Sequence, residues 1–412
     1  MVGFRTILGE SDMLAYLSMM APRLIELRRV LKETGSIYLH CDTTAGAYLR
    51  VLMDAVFRPK NFRNDIIWYY YNKMHDRRKM LFPRATDTLL FYAKDVSKKF
   101  TFHQLKEKRD KPVRQLARKK VDGRMVNVKG EDGHCVYREK DDRTVDNVWR
   151  IPCLQPAAKE KLNYPTQKPQ VLLERVIKAS TDAGDVVLDP FCGCGTAIEA
   201  AQKMDRNWIG IDITHLSVGL IKHRLQDAFG DSIRAAYEVV GEPVSVQDAA
   251  QLARDDAFQF QCWSLGLVGA RVADPKKGSD KGIDGRAYFH DDATGTSKQI
   301  VFSVKSGANL SPSFVRDLRG VVDREKCQIG VLITLHRPTP EMRKEAASCG
   351  FYRSNWGNHP KLQILTIEQL LSGAGVDRPP TREVDVTLKK RVKSVRPAPE
   401  QLQLPRMISR VK

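Results

Sequence analysis

Apolar residues recur at helical and strand spacings along the first quarter of the chain. Between residues 14 and 31 they return at every third or fourth position, which predicts a helix with one buried face. Residues 36–42 form a short apolar run typical of a buried strand, and a second helical pattern covers 48–56. Further strands are predicted at 66–70 and 88–92. Helices and strands that alternate in this way are typical of an α/β protein.

A basic segment then interrupts the alternation. Residues 94–161 hold 19 lysines and arginines against 11 acidic residues, with little hydrophobic periodicity. Such a segment is typical either of a disordered insert or of a module that faces DNA, and its position alone does not separate the two. Between 162 and 240 the spacing predicts a strand at 186–188, a helix at 196–204 and a strand at 208–212, which together form one βαβ unit.

A glycine-containing loop lies between the first strand and the helix of this βαβ unit. It reads Asp189-Pro190-Phe191-Cys192-Gly193-Cys194-Gly195-Thr196. Glycines let backbone N–H groups approach a ligand, and the start of a helix carries partial positive charge. Asp212 ends the next strand, where a carboxylate accepts hydrogen bonds from ribose hydroxyls. The combination predicts a site for a nucleotide-like cofactor, whereas two cysteines are too few to complete a tetrahedral metal site.

The net charge of the chain favours a nucleic-acid partner. Its 412 residues include 68 lysines and arginines against 49 acidic residues, a formal charge of +19. A polyanion suits this charge, although a basic enzyme with a solvated surface has the same composition. There is no long apolar run, so no membrane partner is expected. The 8 cysteines are sparse and the N-terminus has no apolar signal core, which favours a cytoplasmic protein with reduced thiols.

The loop and its surroundings resemble the amino-methylating (N4-cytosine and N6-adenine) DNA methyltransferases, which use S-adenosylmethionine. Residues 189–196 are similar to the family's cofactor loop, and residues 164–169, Tyr-Pro-Thr-Gln-Lys-Pro, are similar to the motif that precedes it. The Gly-Ile-Asp-Ile at 210–213 is similar to the ribose-binding strand. The resemblance covers roughly residues 10–240. It implies a Rossmann-like S-adenosylmethionine-dependent methyltransferase sheet and double-stranded DNA as the partner.

The resemblance also implies roles for individual residues. The residues around the methionine part of the cofactor would be Asp189, Pro190, Phe191, Gly193, Gly195 and Thr196. Asp212 would bind the ribose, and Thr166 and Lys168 would lie near the carboxylate end of the cofactor. A cap for the helix that starts near residue 171 is a structural alternative for residues 166–169, and the two roles are compatible.

The family's catalytic motif, Asp-Pro-Pro followed by an aromatic residue, is absent from the sequence. Its first residue and a backbone carbonyl accept hydrogen bonds from the target amino group, and its aromatic ring stacks on the flipped-out base. The order of the other motifs resembles the circularly permuted branch, in which this motif comes first. We therefore expect it upstream of residue 1, so that the methylase domain, residues 1–240, lacks its catalytic strand. A shortened start of an active enzyme and a protein without methylation activity are both compatible with this pattern.

The absent strand has an expected place in the sheet, between the strands at 36–42 and 186–189. Its loss would remove a row of ladder hydrogen bonds and the core contacts that accompany them. Residues 4–8 are candidates for a partial substitute, although they carry no catalytic residue.

By the same motif order, residues 94–161 fall where the family has its target-recognition module. The candidate phosphate contacts, each with a solvated surface as the alternative role, are Arg114, Arg118, Lys119 and Lys120. Tyr70 and Asn72 follow a strand and are candidates for approaching a base, whereas Trp68 is expected in the core.

A second constellation lies in residues 241–375, where helices and strands again alternate. Asp284 lies in a Gly-Ile-Asp-Gly turn, and Lys305 ends a strand one hairpin later. A carboxylate in this place can hold Mg²⁺, and the lysine can orient water. Over roughly residues 245–372 the pattern resembles the Mrr-like branch of the restriction nucleases, which implies a second α/β domain of restriction-endonuclease-like fold.

This nuclease-like pattern departs from its family at one position. The residue two before the lysine is usually Glu or Gln, and here it is Ser303, a poor metal ligand. Asp284 is therefore the main candidate ligand for Mg²⁺, with Gln261 as a possible helper. The last residues, 376–412, hold 10 basic residues against 4 acidic residues and are expected to form a flexible basic tail.

Two functions follow from these patterns. The first is a site-specific DNA methyltransferase of a restriction-modification system, which transfers a methyl group from S-adenosylmethionine to an exocyclic amino group of adenine or cytosine. The alternative is a Mg²⁺-dependent nuclease or DNA-binding protein whose methyltransferase half only positions DNA. The sequence leaves open the recognition site, the choice between adenine and cytosine, and the oligomeric state.

Overall fold

The computed structural model describes residues 1–380 except 75–79, 81, 122, 163, 274–281 and 291–296. The chain divides into two compact units, one formed by residues 1–155 and 164–238, the other by residues 156–163 and those from 239 onward. Both units combine helices and strands, so the α/β prediction is confirmed. None of the helices in this described part combines the length and apolarity that a membrane crossing requires.

The first unit begins with helices and then alternates between strands and helices. Its helices are α1 (Val2–Leu8), α2 (Asp12–Val30), α3 (Gly46–Phe57), α4 (Gln170–Ser180), α5 (Thr196–Lys203) and α6 (His215–Phe229). Its strands are β1 (Ser36–Cys41), β2 (Phe62–Tyr69), β3 (Thr86–Ala93), β4 (Lys106–Leu116), β5 (Arg118–Val121), β6 (Arg124–Asn127), β7 (Tyr137–Thr144), β8 (Val148–Arg150), β9 (Val186–Asp189) and β10 (Asn207–Gly210).

The main strands of this unit form two separate sheets. Four strands are ordered β1-β3-β2-β8, and β3 is antiparallel to β1 and to β2. The strands β9 and β10 form a parallel pair. Successive residues of β3 face opposite sides of the sheet, as the pleat requires: Leu90 and Tyr92 join the core with α2 and α3, whereas Leu89 and Phe91 join the core with α4.

Residues 4–8 do not form the strand expected of them. They lie in α1, and Phe4 and Leu8 pack against the apolar core formed with α2 and α3. Phe4 contacts Tyr48 edge to face, with the ring centroids 6.4 Å apart. The proposed partial substitute for the absent strand is therefore wrong, because these apolar side chains reach the core from a helix.

The basic insert is built from antiparallel strand pairs. β4 pairs with β7, and β5 pairs with β6, both antiparallel. Most of the side chains on these strands are exposed, which explains why they leave no hydrophobic period in the sequence.

The second unit is a five-stranded sheet with helices on both faces. Its helices are α7 (Val246–Asp255), α8 (Ala257–Leu267), α9 (Pro312–Glu325), α10 (Pro340–Ser348) and α11 (Ile367–Leu371). Its strands are β11 (Arg271–Val272), β12 (Gly285–Phe289), β13 (Lys298–Lys305), β14 (Ile329–Thr334), β15 (Phe351–Ser354), β16 (Gly357–Pro360) and β17 (Leu362–Thr366). The sheet order is β11-β12-β13-β14-β17, and β15 and β16 form a separate hairpin. Phe302 belongs to the core on one face, whereas Val301 belongs to the core on the other.

Candidate cofactor-binding site

The loop between β9 and α5 has a left-handed backbone at two glycines. Gly193 has a φ of 49° and Gly195 a φ of 73°. A Cβ atom at Gly195 would lie 2.7 Å from Cγ1 of Ile221, and one at Gly193 would lie 2.9 Å from Cε1 of Tyr164. The two glycines therefore let the chain turn sharply and let neighbouring side chains approach its backbone.

Asp212, just beyond β10, braces this loop. Its Oδ2 atom accepts a hydrogen bond from the N–H of Gly193 at 3.0 Å. Its Oδ1 atom accepts hydrogen bonds from the N–H and the hydroxyl of Thr214, both at 2.9 Å. A carboxylate accepts about four hydrogen bonds, so one direction is left for a ligand hydroxyl. Asp212 thus has a structural contact in addition to its predicted role at the ribose.

A cavity of about 690 Å³ lies beside the loop, within the first unit. Its lining includes most of the residues predicted to bind the cofactor, namely Thr166, Lys168, Asp189, Pro190, Phe191, Gly193 and Thr196. Gly195 and Asp212 are not part of the lining. The structure therefore brings the two sequence motifs, at 164–169 and 189–196, to one cavity.

Two side chains of opposite charge line this cavity while largely withdrawn from water. Burial raises the pKa of Asp189, whose Oδ1 atom accepts a hydrogen bond from the N–H of Phe191 at 3.2 Å. Burial lowers the pKa of Lys168, and the carboxylates of Asp87 and Asp189 only partly offset this effect. For both groups the loss of water outweighs their mutual attraction. Among the residues that the structure describes, neither Asp189 nor Lys168 forms an ion pair.

A buried arginine supports the loop, and the sequence did not point to it. The side chain of Arg224 is 5% exposed and forms an ion pair with Glu199 of α5. Its guanidinium also donates to the carbonyl of Cys194 and to the hydroxyl of Thr196, both at 3.2 Å. Arg224 lies four residues after the buried Leu220, and this helical spacing is the signal that places it on the inner face of α6.

The two cysteines of the loop are buried thiols. Burial raises the pKa of Cys192 to about 12, and it raises the pKa of Cys194 as well. Both thiols are therefore protonated at neutral pH. Across the residues that the structure describes, no group of three or more potential metal-binding side chains occurs.

The residues that end β2 and follow it are engaged in internal contacts. Trp68 is buried and its indole N–H donates to a backbone carbonyl at 2.8 Å, which confirms its expected place in the core. The buried Tyr70 donates its hydroxyl to the carbonyl of Thr86 at 3.2 Å. Asn72 both donates to and accepts from the backbone of Cys153, at 2.9 and 2.8 Å. Both side chains hold neighbouring segments together here, and the expectation that Tyr70 and Asn72 approach a target base stays a prediction.

The candidate phosphate contacts of the insert are exposed. All four lie on the strands β4 and β5, namely Arg114, Arg118, Lys119 and Lys120. The guanidinium of Arg114 lies 5.2 Å from the ring centroid of Tyr137 on the paired strand. These cations are accessible to a polyanion, and their contact with DNA stays a prediction.

In the second unit, the candidate metal ligand Asp284 is engaged by the backbone. Its Oδ2 atom accepts a hydrogen bond from the N–H of Val304 at 2.7 Å and from the hydroxyl of Ser303 at 3.2 Å. These contacts fix the turn before β12 against β13. Ser303 is therefore a hydrogen-bond partner of the candidate ligand.

The other two residues of the nuclease-like pattern lie nearby. Gln261 donates to the backbone carbonyl of Asp284 at 3.4 Å, and does not contact its carboxylate. Lys305 ends β13, with its Nζ atom 5.5 Å from the ring centroid of Phe314. The roles of Asp284 and Lys305 in DNA cleavage stay predictions.

Comparison with protein families identifies the first part of the chain. A family model described as DNA methylase, for the N6 and N4 enzymes, matches residues 3–222, which is more than half of the chain. The chain therefore belongs to the DNA methylase family. A second model, described as NACHT-associated inactive Restriction Endonuclease 1, matches residues 257–372.

Individual relatives match about half of the chain. The chain is 32% identical over 220 residues to the Type II methyltransferase M.HpaI of Haemophilus parainfluenzae, which covers 53% of this chain and 62% of that protein. It is 29% identical over 207 residues to the DNA adenine methyltransferase YhdJ of Escherichia coli K12, covering 48% and 63%. A solved M1.HpyAVI–SAM complex is 20% identical, covers 47% of this chain and 76% of that chain, and has a TM-score of 0.31. The chain thus spans less than two thirds of each of these two curated relatives.

Proposed function

We propose that this chain binds S-adenosylmethionine and serves the transfer of a methyl group to an exocyclic amino group of adenine or cytosine in double-stranded DNA, within a restriction-modification system. Membership of the DNA methylase family supports this proposal, as do relatives that are a Type II methyltransferase and a DNA adenine methyltransferase. The observation that carries it is the pair of buried charges, Asp189 and Lys168, beside the glycine loop.

These charges fit the amino-acid end of the cofactor. That end carries one ammonium group and one carboxylate group. Asp189 is suited to accept hydrogen bonds from the ammonium, and Lys168 is suited to donate to the carboxylate. Each protein charge would gain the close partner that it lacks, which is the usual condition for a buried charge to be tolerated. Thr166 adds a hydroxyl to the same lining.

The rest of the loop would hold the remainder of the cofactor. When bound, S-adenosylmethionine supplies a methyl group that its sulfonium activates. Gly193 and Gly195 keep the backbone free of Cβ atoms, so that loop N–H groups can approach a ligand. Asp212 keeps one acceptor direction for a ribose hydroxyl. Phe191, which is 51% exposed, presents an aromatic ring at the cavity.

Calorimetric titration with S-adenosylmethionine tests the proposal. We expect Lys168→Met and Asp189→Asn each to weaken binding by at least about tenfold, the effect of losing one charge-assisted hydrogen bond. Two matched substitutions at exposed positions, Lys178→Met on α4 and Asp182→Asn before β9, should leave the affinity within about twofold of the wild type. Equal affinities for all four variants would contradict the assignment.

Transfer of a labelled methyl group to duplex DNA of mixed sequence is the second test. The 412 residues contain no Asp-Pro-Pro-aromatic motif, so the group that accepts hydrogen bonds from the target amine is not assigned among them. Transfer that Lys168→Met abolishes would support the complete function. Cofactor binding without transfer would restrict the proposal to binding.

A further inference from the structure

A chain of hydroxyl groups links Asp212 to Tyr164 within the first unit. The hydroxyl of Thr214 donates to Oδ1 of Asp212 at 2.9 Å. The Oγ1 atom of Thr214 lies 2.7 Å from Oγ of Ser217, in the first turn of α6. The Oγ atom of Ser217 lies 3.3 Å from the phenol oxygen of Tyr164. The side chain of Ser217 is fully buried, so its hydrogen bonds are formed within the protein.

The protons of this chain have one consistent order. Each hydroxyl has a single proton to donate, whereas a carboxylate only accepts. The hydroxyl of Thr214 donates to Asp212, so it accepts its next hydrogen bond from Ser217. Ser217 then has no second proton, so it accepts from the phenol of Tyr164. All three hydroxyl groups therefore donate toward the negative charge, an arrangement in which successive hydrogen bonds strengthen one another.

These contacts leave the Asp212 carboxylate one free acceptor direction. Its Oδ1 atom accepts from the backbone N–H and from the hydroxyl of Thr214. Its Oδ2 atom accepts from the N–H of Gly193. A carboxylate accepts about four hydrogen bonds, so the remaining direction belongs to Oδ2 and has room for one ligand hydroxyl. The donors at Oδ1 fix the rotation of the carboxylate, and with it the direction that Oδ2 offers.

Tyr164 also contacts the glycine loop. A Cβ atom added at Gly193 would lie 2.9 Å from Cε1 and 3.3 Å from the hydroxyl oxygen of Tyr164, so the tyrosine ring lies directly against this backbone. The carbonyl of Tyr164 accepts the N–H of Gln167 at 3.2 Å and closes the turn that contains Thr166. Tyr164 and Thr166 both line the cavity. One residue thus connects the motif at the amino-acid end of the cavity with the chain that leads to Asp212.

We propose that Tyr164, Ser217 and Thr214 are positioning residues. Through their hydroxyl groups they hold the carboxylate of Asp212 in the orientation that receives one ribose hydroxyl of the cofactor. This inference rests on the proposed function, because the cofactor is S-adenosylmethionine. The three residues act through Asp212 and do not need to contact the ribose. Since Tyr164 belongs to the motif of the amino-acid end, a change at that end alters the ribose end as well.

Calorimetric titration of the full chain with S-adenosylhomocysteine, the cofactor without its methyl group, tests the proposal. The titration is repeated with two deoxy analogues, each of which lacks one ribose hydroxyl. In the wild type, we expect one analogue to bind at least about tenfold more weakly than S-adenosylhomocysteine, because it lacks the hydroxyl that donates to Asp212. This analogue is the sensitive one, and the other should bind within about twofold.

Tyr164→Phe removes the phenol oxygen and keeps the ring against Gly193. It should weaken the binding of S-adenosylhomocysteine by about three- to tenfold, the effect of one neutral hydrogen bond. It should weaken the binding of the sensitive analogue by less than about twofold, because that analogue does not use Asp212. Ser217→Ala should give the same pattern, since it interrupts the same chain.

Tyr92→Phe is the matched control. It removes another phenol that donates to a carboxylate, that of Asp54 at 2.7 Å, and Tyr92 does not line the cavity. It should leave the affinity for each ligand within about twofold of the wild type. Without ligand, the amide of Gly193 should exchange faster in Tyr164→Phe than in this control, because its acceptor is held less firmly.

A double variant shows whether the phenol acts through the carboxylate. With Asp212→Ala already present, Tyr164→Phe should change the affinity by less than about twofold, and additive losses would overturn the proposal. If Asp212→Ala does not fold, the deoxy analogues still decide. Equal weakening of all ligands by Tyr164→Phe would also overturn the proposal, since the phenol would then serve only the structure. Unchanged binding in Tyr164→Phe refutes this inference and leaves the proposed function standing, whereas a wild type that binds none of the ligands refutes both.

Discussion

Asp212 accepts a hydrogen bond from the backbone N–H of Gly193 at 3.0 Å, although the two residues belong to loops that follow different strands. β9 and β10 are parallel neighbours, so the loops at their C-terminal ends meet. The carboxylate therefore holds Gly193 in its left-handed conformation. The residue predicted to bind the ribose is also the residue that shapes the loop.

Removing this carboxylate should weaken cofactor binding through both roles. A hydrogen bond to a charged group contributes roughly 1.5–3 kcal/mol, so Asp212→Ala is expected to weaken S-adenosylmethionine binding by about 10- to 100-fold in calorimetric titration. Asp212→Asn retains one acceptor oxygen and should lose less. An unchanged affinity in Asp212→Ala would show that neither role is used.

Asp189 should reduce the stability of the protein without cofactor. Burial raises its pKa, so its charged form is disfavoured in the folded state. We expect Asp189→Asn to raise the melting temperature at neutral pH by a few degrees, because the neutral amide avoids the burial of charge and keeps an acceptor for the N–H of Phe191.

The destabilisation caused by Asp189 should depend on pH. The folded-state pKa of Asp189 lies above the unfolded value, so the destabilisation exists above the folded pKa. It disappears as the pH falls through the folded pKa to the unfolded value, where both states are protonated. Melting curves from neutral to acidic pH should therefore converge for wild type and Asp189→Asn. A variant that is less stable than wild type at neutral pH would contradict the burial argument.

The βαβ unit around the loop follows from the sequence because its elements are short and strongly patterned. The strand predicted at 186–188 is Val186–Asp189, and the helix predicted at 196–204 is Thr196–Lys203. The strand predicted at 208–212 is Asn207–Gly210. The N–H of Ile211 still donates to the carbonyl of Asp189, and the chain then turns so that Asp212 contacts the loop at Gly193. Local pattern decides these elements, and only their ends depend on tertiary contacts.

The contacts of single polar residues could not be predicted in the same way. Asparagine after a strand usually indicates an exposed loop. The side-chain amide of Asn72 nevertheless forms two hydrogen bonds with the backbone of Cys153, 81 positions later. Arg224 resembles a surface charge, yet Glu199 and the loop hold it in the interior. Partners so far away in sequence leave no periodic signal. The same limit applies to Phe4, whose apolar character suits a strand as well as the helix that it forms.

Gly195 should not tolerate a side chain. Gly195→Ala places a methyl group 2.7 Å from Cγ1 of Ile221 and forces a non-glycine residue to a φ of 73°. The left-handed conformation alone costs about 1–2 kcal/mol, so we expect at least that loss in the free energy of unfolding, with weaker cofactor binding. Gly219→Ala is the matched control, since Gly219 lies inside α6 and a Cβ atom added there would meet no atom within 4 Å. It should be neutral or stabilising, by up to about 1 kcal/mol.

The exposed cations of the insert should set the salt dependence of DNA binding. If Arg118, Lys119 and Lys120 each neutralise one phosphate, the triple alanine variant should reduce the slope of log affinity against log salt by roughly 2.7. Fluorescence anisotropy with a labelled duplex at several salt concentrations measures this slope. A control variant removes three exposed arginines of α1 and α2, namely Arg5, Arg23 and Arg29. If both triple variants reduce the slope equally, the net charge of the chain and not the position of these cations determines the salt dependence.

Asp284 should stabilise the second unit through the backbone of β13. Its carboxylate accepts the N–H of Val304 at 2.7 Å, and Asp284→Ala leaves that N–H without this partner. We expect a local loss of about 1–3 kcal/mol, measured by native-state amide exchange in β13. Lys305→Ala is the control at the neighbouring residue, where a lost contact with Phe314 should cost at most about 1 kcal/mol.

The same measurement with and without Mg²⁺ separates this bracing role from the predicted metal site. If the carboxylate of Asp284 only accepts hydrogen bonds within the protein, Asp284→Ala lowers the local stability of β13 equally with and without Mg²⁺. A carboxylate that binds Mg²⁺ gives a wild type that the ion stabilises and an Asp284→Ala variant that the ion leaves unchanged. Because the Oδ2 atom already accepts from Val304 and Ser303, we expect the first result. A stabilisation by Mg²⁺ that both Asp284→Ala and Ser303→Ala abolish would instead favour the nuclease-like site, since those two side chains contact each other.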